Sequence, residues 1–335
     1  MIAAIHFRNF KALRSAEVRL GAFNLLVGPS GSGKTSLIQA ILQLRSLAEF
    51  IDVPPTGPLA ETGSGPQIVF RFPPPFAEVQ ISLGCGADEL VCNRLTVHAP
   101  ESLARDAWMA LRPQLAGARA YLLDHYAMGR PSPRSAVPEL SSNAGNLAAV
   151  LAGWQRNAPE AFRSVVKEFC RWNSEFSDLA IEEGADDTVG LLARIRGEES
   201  SGVTAANLSQ GTLYSLAILT LAAMPDPPSI LCLEEADRGH HPRQLREVRD
   251  ALYRLSHPRE AGLVRDPVQV VATTHSPYLL DLFKDHPEEV ILTQKQGAAA
   301  QFQSLVDVPG VQGQLGEAPL GDLWFSGLLG GVPEE

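Results

Sequence analysis

The sequence has few cysteines and no long hydrophobic run, and both shortages exclude classes of protein. Its 335 residues contain four cysteines, which show neither CxxC pairing nor the spacing of metal ligands: Cys85, Cys92, Cys170 and Cys232. Sparse cysteines of this kind fit a reducing cytoplasm. The longest mainly apolar stretch, Leu213 to Met224, is far shorter than the roughly 20 residues of a membrane span. The N-terminus also lacks the apolar core of a signal peptide, so we expect a soluble, cytoplasmic protein without membrane contact.

The sequence also lacks an excess of basic residues. Lys and Arg total 28 against 38 Asp and Glu, which gives a net charge of −10. Bulk charge therefore cannot coat nucleic acid, and DNA binding would need a local basic patch. Four arginines follow Pro242, but their scattered angular positions favour a solvated helix over a dedicated DNA face: Arg243, Arg246, Arg249 and Arg254. The sequence leaves direct DNA binding open.

The order of hydrophobic patterns predicts an α/β protein with a substantial core, because 45% of the residues are hydrophobic. An apolar strand over residues 22–27 precedes a Gly-rich loop, and an amphipathic helix follows from Lys34. Short alternating segments between residues 67 and 98 predict antiparallel strands. Residues 101–173 are mainly helical in pattern. Two continuous apolar runs are typical of strands buried in a parallel sheet: residues 229–234 and 268–274.

Residues 28–35 read GPSGSGKT and match the phosphate-loop pattern G-x-x-x-x-G-K-[ST] in full. Glycines let the backbone wrap closely around phosphate groups, and a helix that opens at Lys34 points its N-terminal amides at the anion. Lys34 is expected to reach the β- and γ-phosphates, and the Thr35 hydroxyl to hold Mg²⁺. The predicted ATP–Mg²⁺ site of this P-loop comprises Gly28, Ser30, Gly31, Ser32, Gly33, Lys34, Thr35 and Ser36.

The apolar run over 229–234 ends in two acidic residues, Glu234 and Glu235. Buried strands seldom end in two carboxylates without a cation to hold. In P-loop ATPases the first acid at such a strand end helps to fix Mg²⁺, and an adjacent Glu can activate the attacking water. We therefore assign Glu234 to the metal and Glu235 to the general base.

The segment LSQGT, residues 208–212, opens an apolar helix, with Ser209 placed as its N-cap. It lies about 26 residues before Glu234 and resembles the LSGGQ signature of ATP-binding-cassette (ABC) ATPases. In that family the signature Ser and second Gly close on the γ-phosphate held by the other protomer, and the matching residues here are Ser209 and Gly211. His275, in the segment THSP, resembles the switch histidine that touches the γ-phosphate.

These motifs, in this order and preceded by FRNFKAL, resemble the RecF/SMC-like branch of the ABC superfamily. The closer likeness is to compact ATPases grouped as AAA_21 and AAA_15, which include the ATPase half of OLD-type nucleases. The resemblance implies an α/β fold, a two-lobed ABC-ATPase head with a P-loop-bearing mixed β-lobe and a helical lobe that carries the signature. We expect one ABC-type ATPase domain over residues 1–335. Its nucleotide-binding lobe, with an antiparallel β-subdomain, would comprise residues 1–100 and 225–335, and its helical lobe residues 101–224.

Related ATPases commonly read EEPENGLHP where this chain reads EEADRGHHP. Three residues depart from that pattern in the segment resembling the D-loop, residues 236–241: Ala236, Arg238 and His240. The D-loop lines the dimer interface in the family, so we interpret His240 and His241 as contacts there and not as metal ligands. Three further residues match family positions near the nucleotide only weakly: Gln67, as the Mg²⁺-sensing glutamine, and Arg8 and Lys11.

The motif set predicts an ATPase that forms a head-to-tail homodimer around two ATP molecules and switches a separate nuclease- or toxin-like effector, or DNA. DNA repair and antiphage defence both use such heads. A fused nuclease is disfavoured because only about 60 residues follow His275 and they contain no D-x-D pair. The alternative of an ATPase subunit in an OLD-like system, with the nuclease on a separate chain, stays open. The absence of heptads argues against long coiled-coil arms, and the THSP form argues against a transporter ATPase.

Overall fold

The computed structural model describes residues 1–59, 65–86, 91–134, 139–198, 200–297, 299–314 and 318–330, so the end of the expected domain, 331–335, lies outside the described residues. The strands are β1 (Ala4–Phe10), β2 (Leu13–Arg19), β3 (Phe23–Val27), β4 (Gln67–Arg71), β5 (Gln80–Cys85), β6 (Cys92–His98), β7 (Arg119–Tyr121), β8 (Ser132–Pro133), β9 (Phe176–Glu183), β10 (Thr188–Ile195), β11 (Gly202–Thr204), β12 (Ile230–Leu233), β13 (Gln269–Thr274), β14 (Val290–Gln296) and β15 (Ala299–Ser304). The helices are α1 (Lys34–Phe50), α2 (Glu101–Ala116), α3 (His125–Met128), α4 (Leu147–Asn157), α5 (Pro159–Trp172), α6 (Gln210–Ala222), α7 (Leu245–Ser256), α8 (Pro277–Asp281), α9 (Val311–Gln314) and α10 (Leu320–Phe325).

A six-stranded mixed sheet forms the centre of the lobe that carries the P-loop, which we call the P-loop lobe. Its strand order is β15-β14-β3-β13-β12-β7, with only the β14–β15 pair antiparallel. β3, β12 and β13 are buried along their whole length, as their continuous apolar sequences predict. Because these strands are parallel, their carboxyl ends meet at one edge of the sheet, which we call the carboxyl edge.

A second sheet, β2-β1-β4-β5-β6, is antiparallel throughout, which confirms the predicted antiparallel strands. Its apolar face shares one core with α1 and α2, to which Phe7, Phe70, Leu37 and Trp108 contribute. The central sheet connects this core to a second one. In β3, Leu26 faces the core with α1, whereas its neighbours face the helical side, since side chains alternate along a strand.

The helical lobe contains α3 to α6 and a small sheet of β8 to β11. α6 is buried on every side from Thr212 to Ala222, consistent with a sequence that is apolar around its whole circumference. α7 packs against α6 and buries the predicted stripe that includes Val248 and Leu252. The predicted helices at both positions are confirmed.

The boundary expected at residue 101 is wrong, because α2 and β7 pack with the P-loop lobe. α2 lies against α1, and the indole of Trp108 donates to the carbonyl oxygen of Asp52 at 3.0 Å. β7 pairs with β12 at the edge of the central sheet. A strand of three residues has too short a pattern to be recognised within a helical stretch, so the sequence assigned it to the wrong lobe.

Cys85 and Cys92 form a disulfide bond between β5 and β6, which the expectation of a reducing cytoplasm did not predict. The two residues lie opposite each other in the antiparallel register. Their pairing follows from that register and not from a spacing motif. Cys170 and Cys232 are free.

Within the ranges that the structure describes, no helix combines the length and the apolar character needed to cross a lipid bilayer.

Candidate functional site

The P-loop connects β3 to α1, as the sequence predicts. β3 ends at Val27 and α1 begins at Lys34, so the loop lies at the carboxyl edge of the central sheet. Gly28 passes very close to Thr293 on β14. A Cβ atom at position 28 would lie 2.2 Å from both the carbonyl oxygen and the hydroxyl of Thr293. This approach requires glycine at the first position of the loop.

Lys34 folds back onto the loop that it follows. Its Nζ donates to the carbonyl oxygens of Gly28 at 2.7 Å and of Pro29 at 2.8 Å. Burial lowers the pKa of Lys34 to about 8, and the carboxylates of Glu234 and Glu235 partly oppose this effect. The ammonium group is therefore poorly solvated, and a phosphate oxygen would be a stronger partner than the two carbonyl oxygens.

Thr35 and Glu234 meet although they are 199 residues apart in the sequence. The Thr35 hydroxyl donates to Oε2 of Glu234 at 2.7 Å, because the first turn of α1 lies beside the end of β12. Hydroxyl and carboxylate oxygens are the hard ligands that Mg²⁺ prefers. No group of three or more His, Cys, Asp or Glu in the described part of the chain could hold a metal ion. Mg²⁺ at this point would therefore need phosphate and water oxygens to complete its coordination.

Glu235 has an unusual backbone and an exposed carboxylate. Its φ of 52° lies in the left-handed region, which costs about 1 kcal/mol or more for a residue other than glycine. The conformation is held by Thr273, whose hydroxyl accepts from the Glu235 N–H at 2.9 Å and whose carbonyl accepts from Ala236. The Glu235 carboxylate forms an ion pair with Arg238 at 3.4 Å. The side chain is thus directed by a backbone fixed to the end of β13.

His275 directly follows β13 at the same edge. Partial desolvation and then the charge of Lys34 lower its pKa, while Asp237 and Glu235 oppose the change. The turn that carries it is fixed by Thr274, whose hydroxyl bonds to Asp237 at 2.5 Å and accepts from the Ser276 N–H at 2.9 Å. A neutral imidazole at this position can both donate and accept a hydrogen bond.

The signature segment begins α6, with Ser209 as N-cap, which confirms the predicted cap. The Ser209 hydroxyl accepts from the Thr212 N–H at 3.1 Å. Gly211 lies directly under the D-loop, since a Cβ there would be 2.6 Å from the carbonyl oxygen of Gly239. Gly239 has a φ of 73°, and a Cβ on it would be 2.5 Å from the ring of Tyr214. The D-loop backbone therefore lies in direct contact with the first turns of α6.

Tyr214 is the centre of the contact between the D-loop and α6. The Arg238 guanidinium lies 5.9 Å above its ring, and the His240 ring is 6.4 Å away. The Tyr214 hydroxyl is 3.4 Å from Nδ1 of His125, whose Nε2 is 3.0 Å from the amide nitrogen of Gln210. Burial lowers the pKa of His240 to about 4. His240 thus packs toward Tyr214 of its own chain, and its expected contact at a dimer surface stays a prediction.

The other predicted residues differ in exposure. Ser30 and Gly31 are exposed in the P-loop, Ser36 is half-buried in α1, and the Ser32 side chain is fully buried. His241 is exposed, and its Nδ1 accepts from the backbone N–H of Arg243 at 3.2 Å. Their roles in binding stay predictions.

The weakly matched residues lie within or beside the antiparallel sheet. Gln67 begins β4 and lies opposite Arg8 in β1. The Lys11 ammonium group donates to Gln39 on α1. The sequence missed three residues that contact the site. Thr293 and His125 belong to no motif, and Asp237 lies within the D-loop segment.

Comparison with protein families matches residues 123–281 to the model AAA_21, described as "AAA domain, putative AbiEii toxin, Type IV TA system". The matched range includes Ser209, Glu234, Glu235 and His275, while the P-loop precedes it. No curated protein is significantly similar to the chain in sequence.

Several solved structures similar to the chain are heads of SMC proteins. One is an SMC head bound to the C-winged helix domain of ScpA, with 15% identity, a TM-score of 0.59, and coverage of 90% of this chain and 96% of that one. Another, from Pyrococcus furiosus, is an SMC head with an extended coiled coil bound to the C-terminal domain of ScpA, with 12% identity, a TM-score of 0.55, and coverage of 94% and 99%. An SMC head domain from Thermotoga maritima has 15% identity, a TM-score of 0.50, and coverage of 91% and 98%. The predicted ABC-ATPase head fold is therefore confirmed.

Proposed function

We propose that this chain, whose family match and fold support an ABC-type ATPase related to the SMC and RecF heads, binds ATP with Mg²⁺ at the carboxyl edge and hydrolyses the ATP. The hydrogen bond between Thr35 and Glu234 carries the proposal. It brings two hard oxygen ligands together beside the lysine that ends the P-loop. Helix N-terminal amides and a buried lysine on one side, and carboxylates on the other, suit a phosphate chain with a bound cation.

Each residue has a separate part in the proposed reaction. Lys34 leaves the loop carbonyls and binds the β- and γ-phosphates, and Thr35 and Glu234 would hold Mg²⁺, which neutralises phosphate charge when bound. Glu235 takes a proton from the attacking water, for which its exposed carboxylate is available once it turns from Arg238. His275 contacts the γ-phosphate from the end of β13.

We further propose that two protomers build each site. Ser209 and Gly211 lie in the lobe opposite the P-loop, and none of the hydrogen bonds or ion pairs among the described residues joins them to residues 28–36. A helix N-terminus offers backbone N–H groups that can bind an anion, and the Ser209 hydroxyl lies beside them as the N-cap. A second copy could supply these groups to the γ-phosphate, and two-fold symmetry would then give two composite sites.

The partner that responds to ATP is proposed to be a separate protein. Two similar SMC heads are bound to a domain of ScpA, and the matched family description names a toxin and a toxin–antitoxin system. A nuclease- or toxin-like effector fits this pattern, with a role in DNA repair or antiphage defence. ATP would join the heads, and hydrolysis would separate them and reset the effector.

Mixing two inactive variants tests the composite site. Lys34→Ala removes the phosphate-binding lysine, and Ser209→Arg blocks the signature at a cost of about 1 kcal/mol for the lost N-cap. A mixed dimer keeps one intact site, formed by the P-loop of the Ser209→Arg chain and the signature of the Lys34→Ala chain. With random pairing at equal amounts, roughly a quarter of the wild-type ATPase activity should return and should depend on protein concentration.

The matched control mixes Lys34→Ala with the double variant Lys34→Ala/Ser209→Arg, which leaves no intact P-loop and should recover nothing. Full turnover by Ser209→Arg alone, independent of concentration, would show a monomeric enzyme and contradict the proposed dimer.

A further inference from the structure

Thr293 lies beside the P-loop without belonging to any motif. The parallel register pairs Leu292 on β14 with Val27 on β3, so Thr293 comes level with Gly28. The two backbones approach so closely that only glycine fits at position 28. Thr293 therefore contacts the point at which the chain leaves β3 and begins the loop.

A pair of buried hydroxyls connects Thr293 to the middle of the loop. Oγ1 of Thr293 lies 2.5 Å from Oγ of Ser32, and both residues are completely buried. Ser32 Oγ is also 2.7 Å from the carbonyl oxygen of Pro29, and Thr293 Oγ1 is 3.2 Å from that of Val27. Ser32 thus faces β14, although the sequence assigned it to the nucleotide.

The two hydroxyls have two protons for three hydrogen bonds, so one contact is always without a proton. In one arrangement Ser32 donates to Pro29 and Thr293 donates to Ser32. In a second, Ser32 donates to Thr293 and Thr293 donates to Val27. The third, in which Ser32 donates to Pro29 and Thr293 to Val27, leaves no proton between two oxygens 2.5 Å apart and is unfavourable. The carbonyl of Pro29 also accepts from Lys34 at 2.8 Å and, at 3.3 Å, from the backbone N–H of Ser32, so it does not depend on the Ser32 hydroxyl while the lysine stays there.

We propose that Thr293 is a positioning residue for the P-loop, acting through Ser32. The inference rests on the proposed function, in which Lys34 leaves Gly28 and Pro29 for the phosphates. The Pro29 carbonyl then loses its lysine donor, and Ser32 replaces it because Thr293 donates to Ser32. The cost of releasing Lys34 falls, because the partly buried Pro29 carbonyl would otherwise keep only the longer hydrogen bond from the Ser32 N–H, at 3.3 Å.

Two substitutions at Thr293 separate its hydroxyl from its shape. Thr293→Val keeps the volume and removes the hydroxyl, whereas Thr293→Ser keeps the hydroxyl. Calorimetry with a non-hydrolysable ATP analogue and Mg²⁺ should give a dissociation constant about tenfold higher for Thr293→Val, and one within threefold of wild type for Thr293→Ser. Thr220→Val is the matched control, since Thr220 is equally buried and its hydroxyl donates to Leu216 at 2.8 Å in α6. Thr220→Val should lower the melting temperature by about as much as Thr293→Val does and leave nucleotide affinity unchanged.

A double-mutant cycle with Ser32→Ala tests whether Thr293 affects nucleotide binding through Ser32. If Thr293 acts through Ser32, the double variant should bind the analogue no more weakly than either single variant. If Thr293→Val fails to fold, Ser32→Ala replaces it in the binding measurement. Ser32→Ala removes the other hydroxyl of the Ser32–Thr293 pair and must weaken binding of the analogue as well.

Three results would overturn the role of Thr293. The first is a nucleotide affinity within twofold of wild type for Thr293→Val or Ser32→Ala. The others are equal losses of affinity in Thr293→Ser and Thr293→Val, or a loss of affinity in Thr220→Val equal to that in Thr293→Val. Lys34→Ala separates this failure from that of the proposed function. If Lys34→Ala abolishes binding while Thr293→Val does not weaken it, only the role of Thr293 is refuted. If Lys34→Ala itself binds normally, the nucleotide site is refuted.

Discussion

Replacing Gly211 with alanine sets two physical effects against each other. Gly211 is the second residue of α6, and alanine in a helix is favoured over glycine by about 0.5–1 kcal/mol. Its new Cβ, however, would lie 2.6 Å from the carbonyl oxygen of Gly239. That distance is too short for any real Cβ, so the backbone of the D-loop would have to move.

The clash should outweigh the gain in helix propensity. Gly239 cannot move freely, because its own Cα lies against the ring of Tyr214. Overpacking against fixed backbone costs about 1–3 kcal/mol. After subtraction of the helix propensity, we expect Gly211→Ala to lower the free energy of unfolding by about 1 kcal/mol, and by no more than about 2.5 kcal/mol.

Gly153→Ala is the matched control. Gly153 lies within α4, and a Cβ there would meet no atom within 4 Å. The same substitution should therefore stabilise by about 0.5–1 kcal/mol. Thermal unfolding followed by circular dichroism should show Gly211→Ala melting a few degrees below wild type and Gly153→Ala at or above it.

Stability is the decisive measurement, because lost ATPase activity in Gly211→Ala could come from a lost nucleotide contact or from a displaced D-loop. A melting temperature for Gly211→Ala that equals or exceeds that of wild type would refute the steric argument.

The remaining predictions concern the acids and the lysine. Glu235→Gln should bind ATP–Mg²⁺ but hydrolyse it at least roughly 100-fold more slowly in a single-turnover assay. If Glu234→Gln shows this behaviour and Glu235→Gln turns over normally, the roles of general base and metal ligand are reversed between the two residues. The pKa of Lys34 is about 8 in the free chain and phosphate would raise it, so ATP binding at pH 8.5 should take up protons. Calorimetry in buffers of different ionisation enthalpy detects this proton uptake, and the Lys34→Ala variant should lack it. The same lowered pKa means that the unfolded chain holds more protons between pH 8 and 10.5, so the contribution of Lys34 to the free energy of unfolding should rise with pH over that interval.

The predictable parts of the fold are those encoded by neighbouring residues. The strand before Gly28, the helix from Lys34 and the cap at Ser209 each depend on a few consecutive side chains, and all three are present in the structure. The convergence of Thr35 with Glu234 was also predictable, because parallel strands place their carboxyl ends at one edge.

The features that the sequence missed depend on distant pairing. β7 is a strand only because β12 lies beside it, and Cys85 meets Cys92 only in the register of a hairpin. Thr293 resembles any threonine in a strand until the register brings it level with Gly28. His240 carries no sign in the sequence that it turns inward to Tyr214.

The short strand β7 also determines how movement can pass between the lobes. The Tyr121 carbonyl accepts from the backbone N–H of Glu234 at 2.9 Å. Four residues later, His125 contacts the Gln210 side chain beside Ser209. Four residues of extended chain reach about 14 Å at most. The proposed metal ligand and the signature helix are therefore joined by a connection of only four residues, so a rotation of the helical lobe beyond that reach would pull on the strand that aligns Glu234.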